Sequence, residues 1–369
     1  MLAFMVLLKH IIAEIEKFAP PAFQEDYDNT GLQTGTPDME IKGVLITLDV
    51  TEEVIDDASK NGENLIVSHH PITLKGVKKL TGQTPPERIL IKAIKKNIAI
   101  YSSHTSIDSV ENGVSGILAK KLELNNIRVL SPRSNLLLKL VTFVPTRYAE
   151  KVRTAIFEAG AGVIGNYDCC SYNLEGIGTF RAGEGTNPFV GEQGNIHFEK
   201  EERIETVIPK HLTKQVLKAL FDVHPYEEVA YDLYPLENVW NKVGFGAIGE
   251  LKNPLSENEV LKRIKEVTGA ECIRHTNLLN KPVKKVAVCG GSGSFLLNKA
   301  IQEGADVFVS SDFKYHQFQE ADNKIVIADI GHYESEQLTK EVFFELLTKK
   351  FPNFAVRLTN VTTNPVKYF

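Results

Sequence analysis

The sequence predicts an α/β protein with a mostly parallel core sheet flanked by helices and interrupted by a small inserted α+β domain. Near both ends of the 369-residue chain, short apolar runs alternate with amphipathic stretches. Such alternation implies crossover connections, which place successive strands parallel to each other. The middle of the chain shows a different and more glycine-rich pattern. We therefore predict a core domain of residues 1–134 and 237–369, with an inserted domain at residues 135–236.

The first half of the core begins with an amphipathic helix. Apolar residues recur at helical spacing: Leu8, Ile11, Ile12, Ile15 and Phe18. We interpret the apolar start, Met1 to Leu8, as the approach to this helix rather than a signal peptide, because no positive charge precedes it. Further elements follow in order: a strand at 43–50, a helix at 51–60, a strand at 64–68, a helix at 86–96 and a strand at 97–102.

The second half of the core repeats this alternation, and the middle does not. Strands are predicted at 283–289, 306–310 and 324–329, with helices between them and a last helix beginning near His332. The middle contains two strand-then-helix patterns, at 136–160 and 202–223, separated by the glycine-rich segment 176–195. Two such units around a hairpin indicate a small α+β sandwich.

Composition narrows the classes of protein to which the chain can belong. Its 42 Lys+Arg and 47 Asp+Glu give a net charge of −5 without a long basic run, which argues against nucleic acid as a partner. The four cysteines form neither a disulfide framework nor a zinc motif, so we expect a reducing, cytoplasmic compartment. No window approaches the roughly 18 apolar residues of a transmembrane span, so no membrane association is expected.

Three histidine-containing clusters each follow directly after a predicted strand, at 68–71, 103–108 and 329–336. Ligands of open α/β sheets bind outside the carboxyl ends of the strands, so we expect the three clusters to meet at one site. The spacing of four residues between His332 and Glu336 places both side chains on one helix face. Two adjacent histidines such as those in the first cluster can also be simply solvent-exposed.

The clusters supply six candidate metal ligands: His69, His70, His104, Asp108, His332 and Glu336. A single catalytic zinc ion uses about three protein ligands, so six residues suit two ions. Glu336 is the natural bridge, because it shares a helix face with His332. Two neighbouring ions form the usual hydrolytic pair. Nitrogen and oxygen ligands without a thiolate leave Zn, Fe, Mn and Co all open as the divalent metal.

Further motifs allow two interpretations each. The glycine cluster 289–294 could hold phosphate on backbone N–H groups or form a tight turn beside the site. Asp312 and His316 follow another strand end and could orient ligands or transfer protons, or could be a helix cap and a packed histidine. The segment His224-Pro225-Tyr226-Glu227-Glu228 could supply polar groups to a cavity or a subunit contact, or form a loop before an edge strand.

Six motifs, in order and spacing, resemble the family of GTP cyclohydrolase 1 type 2 homologues, also called the NIF-three-like family. They are DNTGL (28–32), SHHP (68–71), HTSID (104–108), CGGSGS (289–294), SDFKYH (311–316) and DIGHYESE (329–336). The middle segment is similar to the PII-like or CutA-like insert of longer bacterial members. Two positions depart from the family pattern: Asn112-Gly113-Val114-Ser115 replaces a Gly-Gly-x-Asn run, and Ser311 stands where glycine is common.

The resemblance implies a dinuclear metal site in a toroidal homohexamer. It assigns one metal ion to His69, Asp108 and Glu336 and the other to His70, His332 and Glu336, with His104 close by. The two departures remove no ligand, but they indicate that the substrate pocket differs.

The family name implies hydrolytic opening of the GTP imidazole ring with release of formate. Our first hypothesis is therefore a dinuclear-metal-dependent hydrolase in which His104 or His316 transfers protons and the glycine turn holds the triphosphate. A hydrolase of another small phosphorylated molecule would use the same metals. The hypothesis from a different class is a non-catalytic hexameric metal-binding scaffold or regulator, with the insert as a ligand sensor.

Overall fold

The alternating ends of the sequence and its glycine-rich middle form separate units in the computed structural model, which describes residues 5–369. The first unit contains the chain up to Pro132 and again from Lys242 to Phe369. The second unit is Arg133–Asn241. Residues 1–4, the start of the apolar stretch that we interpret as the approach to the first helix, lie outside the described residues.

The chain enters the first unit with five helices and five strands. They are α1 Leu8–Phe18, β1 Gly31–Thr34, β2 Val44–Thr47, α2 Glu52–Asn61, β3 Leu65–Ser68, α3 Pro85–Lys95, β4 Ala99–Ser102, α4 Thr105–Asp108, α5 Val114–Lys121 and β5 Asn125–Arg133. The second unit follows with β6 Leu137–Pro145, α6 Ala149–Glu158, β7 Ser171–Arg181, β8 Ile196–Pro209, α7 Thr213–Val223 and β9 Tyr231–Leu236. The chain then returns through β10 Trp240–Ser256, α8 Glu257–Thr268, β11 Arg274–His275, β12 Pro282–Ser292, α9 Leu297–Gln302, β13 Val307–Ser311, α10 Tyr315–Gln319, β14 Val326–Asp329, α11 His332–Glu336, α12 Thr339–Lys350 and β15 Val356–Leu358.

One sheet of the first unit has five strands in the order β1-β4-β3-β2-β15. The strands β15, β2, β3 and β4 are parallel to their neighbours, whereas β1 joins β4 antiparallel. Every residue of β2, β3 and β4 is buried. Continuous apolar runs of this kind are typical of strands that are covered on both faces.

The other sheet of the first unit has six strands in the order β11-β14-β13-β12-β10-β5. Its centre is parallel, from β12 through β13 to β14, but β11 pairs antiparallel with β14 and β10 pairs antiparallel with β12. The prediction of a mostly parallel core sheet is therefore wrong, and the sheets of the core are mixed. A helical crossover predicts parallel pairing only for the two strands that it joins. The edge strands β1 and β11 pair with strands distant along the chain, and β10 pairs antiparallel with β12 inside its sheet, so the crossover pattern does not predict these pairs.

A single apolar cluster connects the two sheets of the first unit. It joins Ile46 and Val67 of the first sheet with Val288 and Val309 of the second, and the buried ring of Phe343 on α12 packs into it. The predicted last helix is two helices, α11 and α12, which divide at residues 337–338. Because α11 is a separate short helix, its orientation is not tied to that of α12, which packs in the core through Phe343.

The second unit is a four-stranded antiparallel sheet with two helices on it. The strand order β7-β8-β6-β9, with the chain sequence β-α-β-β-α-β, is the ferredoxin-like arrangement. Leu140 and Ile204 of the sheet pack against Val152 of α6 and Leu220 of α7. No helix among residues 5–369 combines the length and the apolar character needed to cross a membrane.

Candidate metal centre

His69 and His70 follow β3 at a backbone turn. The Ser68 hydroxyl donates a hydrogen bond of 2.9 Å to the His70 carbonyl oxygen, and the His70 N–H donates to the carbonyl oxygen of Leu48 at 3.0 Å. This turn comes just before Pro71, which disfavours helix at the residue that precedes it. The two imidazoles consequently lie near each other, with ring centroids 4.7 Å apart.

Side chains of the other two histidine-containing clusters lie beside His69 and His70. His104 follows β4, and its ring centroid lies 5.2 Å from that of His69. Asp108 is at the end of α4, while His332 and Glu336 are at the two ends of α11. The expectation that three strand ends meet at one site is thus met for these side chains.

Glu336 lies at the centre of the cluster. Its Oε2 atom is 3.0 Å from His70 Nε2, 3.1 Å from His332 Nε2 and 3.7 Å from His69 Nε2. Asp108 Oδ1 is 3.8 Å from the same His69 nitrogen. Glu336 is only 3% exposed, so this carboxylate faces the imidazoles rather than water.

Each of the four imidazoles is anchored through its Nδ1 atom. The partners are the Ser103 carbonyl oxygen for His69 (3.1 Å), Asp49 for His70 (2.7 Å), Asp28 for His104 (2.7 Å) and Asp312 for His332 (2.6 Å). Histidines that bind metals characteristically donate the other ring N–H to a carboxylate or carbonyl oxygen, which fixes the tautomer and orients the ring. The same anchoring leaves the Nε2 atoms available as ligands.

Asp28 is itself held firmly. Its Oδ2 accepts hydrogen bonds from the Thr105 N–H at 2.9 Å and from the Thr30 hydroxyl at 3.1 Å. Burial alone would raise the pKa of Asp28, but the hydrogen bonds from His104 and Thr105 outweigh it and lower that pKa well below its ordinary value. Asp28 therefore stays ionised and can keep the His104 ring in place.

The imidazoles of the cluster differ in their affinity for protons. Burial lowers the pKa of His69 to about 4, so this ring is neutral near pH 7. Burial also disfavours the charged form of His70, but the Asp49 and Glu336 carboxylates outweigh it and raise the pKa to about 10. The carboxylates of Asp312 and Glu336 raise the pKa of His332 to about 11.

The pKa values of the two carboxylates in the cluster, Asp108 and Glu336, are shifted in opposite directions. Burial, reinforced by the nearby Glu336 charge, raises the pKa of Asp108. Burial would do the same to Glu336, but the surrounding imidazoles, with His69 first, lower its pKa well below the ordinary value. The cluster thus stabilises positive charge beside Glu336, which is what a divalent cation would supply.

Three ligand-type atoms of the cluster are buried without a hydrogen bond within residues 5–369: His69 Nε2, Asp108 Oδ1 and Glu336 Oε2. Glu336 Oε2 still has the imidazoles of His70 and His332 beside it, so the cost of an unsatisfied buried atom, about 1–3 kcal/mol, falls mainly on His69 Nε2 and Asp108 Oδ1. Three such atoms so close together are accounted for if they are ligands of a cation. The donor set of imidazole nitrogens and carboxylate oxygens therefore fits Zn, Fe, Mn or Co.

The cluster contains two overlapping groups of three residues. Within each group, the ligand atoms all lie within 4.8 Å of one another. One is His70, His332 and Glu336, which is the trio that the resemblance assigns to one metal ion. The other is His69, His70 and His104. This second group differs from the assigned trio of His69, Asp108 and Glu336, so the division of ligands between two ions remains a prediction.

The glycine cluster packs against Glu336 instead of presenting its backbone to a ligand. Gly290 N–H donates to Ser115 Oγ at 3.3 Å, and Gly291 N–H donates to Ser335 Oγ at 2.8 Å. Gly291 has φ +64°, and a Cβ atom added there would lie 2.2 Å from Glu336 Oε1. These contacts favour the tight turn over the phosphate-binding interpretation.

Asp312 and His316 have separate positions. Asp312 orients His332, as described above, with a left-handed backbone at φ +61°. His316 is exposed on α10, and its ring contacts Tyr315 edge-on at 5.2 Å. His316 lines neither of the cavities beside the cluster. A proton-transfer role for His316 receives no support from this geometry.

Of the three anchoring carboxylates, the sequence indicates Asp312 as a residue that could orient a ligand, but it assigns no such role to Asp28 and Asp49. Asp49 was hidden within the strand predicted at 43–50, although it follows β2 at the same sheet edge as the first two histidine clusters. Asp28 belongs to a polar turn that had no assigned role. The signal that could have identified Asp49 is its place just after β2, because carboxylates beyond the carboxyl end of a parallel strand commonly face the ligand site.

Two cavities adjoin the cluster within the first unit. One, of about 410 Å³, is lined by His104, Asp108, His332 and Glu336 among others. The other, of about 640 Å³, reaches His70 and the opposite side of His332. His332 is 42% exposed, so a small molecule can approach the cluster from solvent.

Comparison with known proteins places this site in a family context. The family model described as Duf34/NIF3 (NGG1p interacting factor 3) matches residues 6–365. The chain belongs to the Duf34/NIF3 family. This Duf34/NIF3 protein is 39% identical to the GTP cyclohydrolase 1 type 2 homolog of Bacillus subtilis over 367 residues, which cover 98% of each chain. It is also 39% identical to the protein of the same name from Halalkalibacterium halodurans, over 97% of this chain and 98% of that one.

Solved structures of similar proteins share the whole architecture of this Duf34/NIF3 protein. A Bacillus cereus protein related to NIF3 superimposes with a TM-score of 0.87 at 36% identity, over 100% of both chains. Staphylococcus aureus protein SA1388 superimposes with a TM-score of 0.78 at 27% identity, again over both chains in full. Both solved chains thus match the fold of this protein over their full length.

Proposed function

We propose that this Duf34/NIF3 protein is a hydrolase that depends on two divalent metal ions held by the histidine–carboxylate cluster. The observation that carries the proposal is the meeting of three buried ligand atoms without hydrogen bonds, on His69, Asp108 and Glu336. The Nδ1 anchoring of all four imidazoles supports it independently.

His70, His332 and Glu336 would hold one ion, and His69 and Asp108 would hold the other together with Glu336 as the bridge. Zn, Fe, Mn and Co all suit these ligands. When bound, two such ions would polarise a substrate and activate water. Asp28, Asp49 and Asp312 keep the imidazoles in the tautomer that presents Nε2 to the cluster.

His104 is the residue of the chain best placed to hold or move a proton in the reaction. It lines the cavity of about 410 Å³, and Asp28 fixes its Nδ1 side. In that position its Nε2 can accept a proton from a molecule in the cavity, while the ionised Asp28 stabilises the resulting imidazolium. The same atom could instead serve as a metal ligand, as its grouping with His69 and His70 indicates.

The first substrate to test is GTP, because the relatives from Bacillus subtilis and Halalkalibacterium halodurans are named GTP cyclohydrolase 1 type 2 homologs. Opening of the imidazole ring would release formate. A hydrolase of another small phosphorylated molecule is the second candidate. The engaged N–H groups of Gly290 and Gly291 favour it, because they provide no backbone cradle for a triphosphate.

The assembly and the inserted domain are also parts of this proposal. The family resemblance supports a toroidal homohexamer, and the cysteine pattern supports a location in the cytoplasm. The ferredoxin-like strand order of the second unit supports an insert of the PII/CutA-like kind.

The experiment is elemental analysis of the purified protein and of two variants, His70→Ala and Glu336→Ala, with each sample assayed for formate release from GTP. We expect about two metal ions per chain in the parent protein and a loss of metal in both variants. The control is His10→Ala, which removes an exposed imidazole on α1 far along the chain from the cluster.

The outcomes separate the hypotheses. Metal together with formate release that both variants lose supports the GTP reaction. Metal without formate release contradicts GTP as substrate and leaves hydrolysis of another molecule or a non-catalytic scaffold. A parent protein that binds no divalent metal, or a His10→Ala variant that loses as much metal as His70→Ala, contradicts the proposal itself.

A further inference from the structure

The second unit contains a cavity of its own, of about 400 Å³, within the unit that carries none of the metal-cluster residues. Much of its wall comes from two segments that the metal-dependent reaction does not use. One is the glycine-rich stretch around β7, and the other is the His224–Glu228 loop that precedes β9. Phe143 of β6 and Glu201 of β8 also line it. This cavity is separate from the proposed hydrolase site and needs an explanation of its own.

A buried carboxylate forms the floor of the cavity. Glu201 on β8 is 9% exposed, and its Oε1 accepts a hydrogen bond of 2.7 Å from the Tyr226 hydroxyl. Within the described part of the chain, its Oε2 accepts no hydrogen bond. The absence of a side chain at Gly178 makes room for it, because a Cβ atom added there would lie 2.1 Å from Oε2.

Aromatic rings surround this carboxylate. Phe143, Phe180, Phe189 and Tyr226 all line the cavity. The Tyr226 ring centroid lies 6.2 Å from that of Phe180 and 6.3 Å from that of Phe189. Burial and the Glu201 carboxylate raise the pKa of Tyr226, so its hydroxyl stays protonated and donates to Oε1. Guanidinium groups already lie over two of these rings, Arg147 at 5.1 Å from the Phe189 centroid and Arg203 at 5.6 Å from the Phe143 centroid. The lining therefore offers apolar surface and, for a further cation, chiefly the faces of Phe180 and Tyr226.

The charge of the lining is negative. The lining contains three carboxylates, those of Glu201, Glu227 and Glu228. It contains one guanidinium, that of Arg181, which is exposed. The carboxylate of Glu227 already has one hydrogen-bond partner, because its Oε1 accepts from the Asn187 N–H at 3.1 Å. A buried carboxylate without a cationic partner is costly, so the ligand that suits this floor carries a positive charge and an N–H donor.

We propose that the second unit binds a protonated primary amine with an apolar body in this cavity. The ammonium group donates to Glu201 Oε2, and its charge lies against the faces of Phe180 and Tyr226. The apolar body occupies the space between Phe143, Phe180 and Phe189. A quaternary ammonium ion fits less well because it has no N–H group for Oε2, and a bare metal ion would meet rings instead of ligand atoms.

The test is isothermal titration of the full-length protein with benzylamine and, as an uncharged analogue of the same shape, with benzyl alcohol. We expect saturable binding of one benzylamine per chain and much weaker binding of benzyl alcohol. Glu201→Gln keeps an oxygen for the Tyr226 hydroxyl but loses the charge, so benzylamine affinity should fall about tenfold or more. Gly178→Ala should also abolish binding, because the added methyl group displaces Oε2.

The control is Glu158→Gln, which removes one negative charge from the exposed end of α6 and should leave benzylamine affinity unchanged. Circular dichroism and thermal unfolding establish that each variant is folded. The proposal is overturned if folded parent protein does not bind benzylamine, if benzyl alcohol binds as tightly, or if Glu201→Gln binds benzylamine like the parent. Equal weakening in Glu158→Gln would also overturn it, since the effect would then be one of net charge.

Discussion

Glu336 illustrates how much of the candidate site depends on groups that are not themselves ligands. Its carboxylate contacts three imidazoles on one side and the glycine turn at 290–291 on the other. Because Gly291 has φ +64° and no Cβ atom, the backbone can lie directly against Oε1. A side chain at this position would push the carboxylate out of the cluster.

We therefore expect Gly291→Ala to lower the affinity for divalent metal about 10- to 100-fold, the usual range for disturbed outer-shell contacts. The measurement is metal affinity by competition with a chelator. Gly76→Ala is a matched control, because Gly76 has a similar φ of +71° but a Cβ atom there would have nothing within 4 Å. Similar losses in both variants would show that backbone strain, and not displacement of Glu336, is responsible.

The short edge strand β15 is fixed to the rest of its sheet by charge as well as by pairing with β2. Arg357 donates to both oxygens of Glu63, at 2.7 and 2.8 Å, and to both oxygens of Asp57 on α2, at 3.0 and 3.2 Å. Burial alone would raise the pKa of Asp57, but the hydrogen bonds from Arg357 and Thr359 outweigh it and lower the pKa. Paired contacts of this geometry are the strongest kind of ion pair.

We expect Arg357→Met to lower the free energy of unfolding by about 2–3 kcal/mol at pH 7, because the buried carboxylate of Glu63 and the partly buried carboxylate of Asp57 lose their partner. A carboxylate with a lowered pKa in the folded state stabilises the protein above its unfolded pKa of about 4 and loses that effect as the pH falls through the folded pKa. The difference between parent and variant should therefore shrink as the pH falls below about 4.

Urea unfolding followed by circular dichroism at several pH values checks this expectation. Lys350→Met is the control, because Lys350 forms an exposed pair with Glu14 and its loss should change stability by less than about 1 kcal/mol. An Arg357→Met difference that is constant with pH would mean that lost packing, rather than charge, explains the effect.

The two halves of the first unit meet where the second unit is inserted. The strands β5 and β10, which flank the insertion, are neighbours in the six-stranded sheet. A Cβ atom added at Gly244 would touch Ser131, and one at Gly249 would touch Asn125, so the two strands run in opposite directions. Their ends at the insertion are consequently close enough for a tight hairpin turn.

We predict that a chain in which Asn-Gly replaces residues 134–241 folds and binds the same amount of divalent metal as the full chain. The reason is that every residue of the metal cluster and its anchoring carboxylates belongs to the first unit. Elemental analysis and thermal unfolding of the shortened chain provide the measurement. A shortened chain that folds but has lost its metal would show that the cluster depends on the second unit.

The sequence by itself determined which residues could form the cluster. Strands predicted at 64–68 and 97–102 are present as β3 and β4, so the histidines that follow them are placed at the strand ends where ligands bind. The spacing of His332 and Glu336 likewise predicted a shared helix face, and α11 has these two residues at its ends. These inferences succeed because strands, helix faces and strand ends are local properties of the chain.

Only the tertiary structure decided what depends on contacts between distant segments. Asp28 and Asp49 anchor His104 and His70 across gaps of 76 and 21 residues, and no local pattern encodes such pairs. The mixed sheets arise in the same way, because edge strands such as β1 and β11 join their sheets through long-range pairing. The Glu201 cavity likewise exists only once β7, β8 and the His224–Glu228 loop are packed together. Periodicity specifies an element and its buried face, whereas the partner of that face is chosen by the packing of the whole chain.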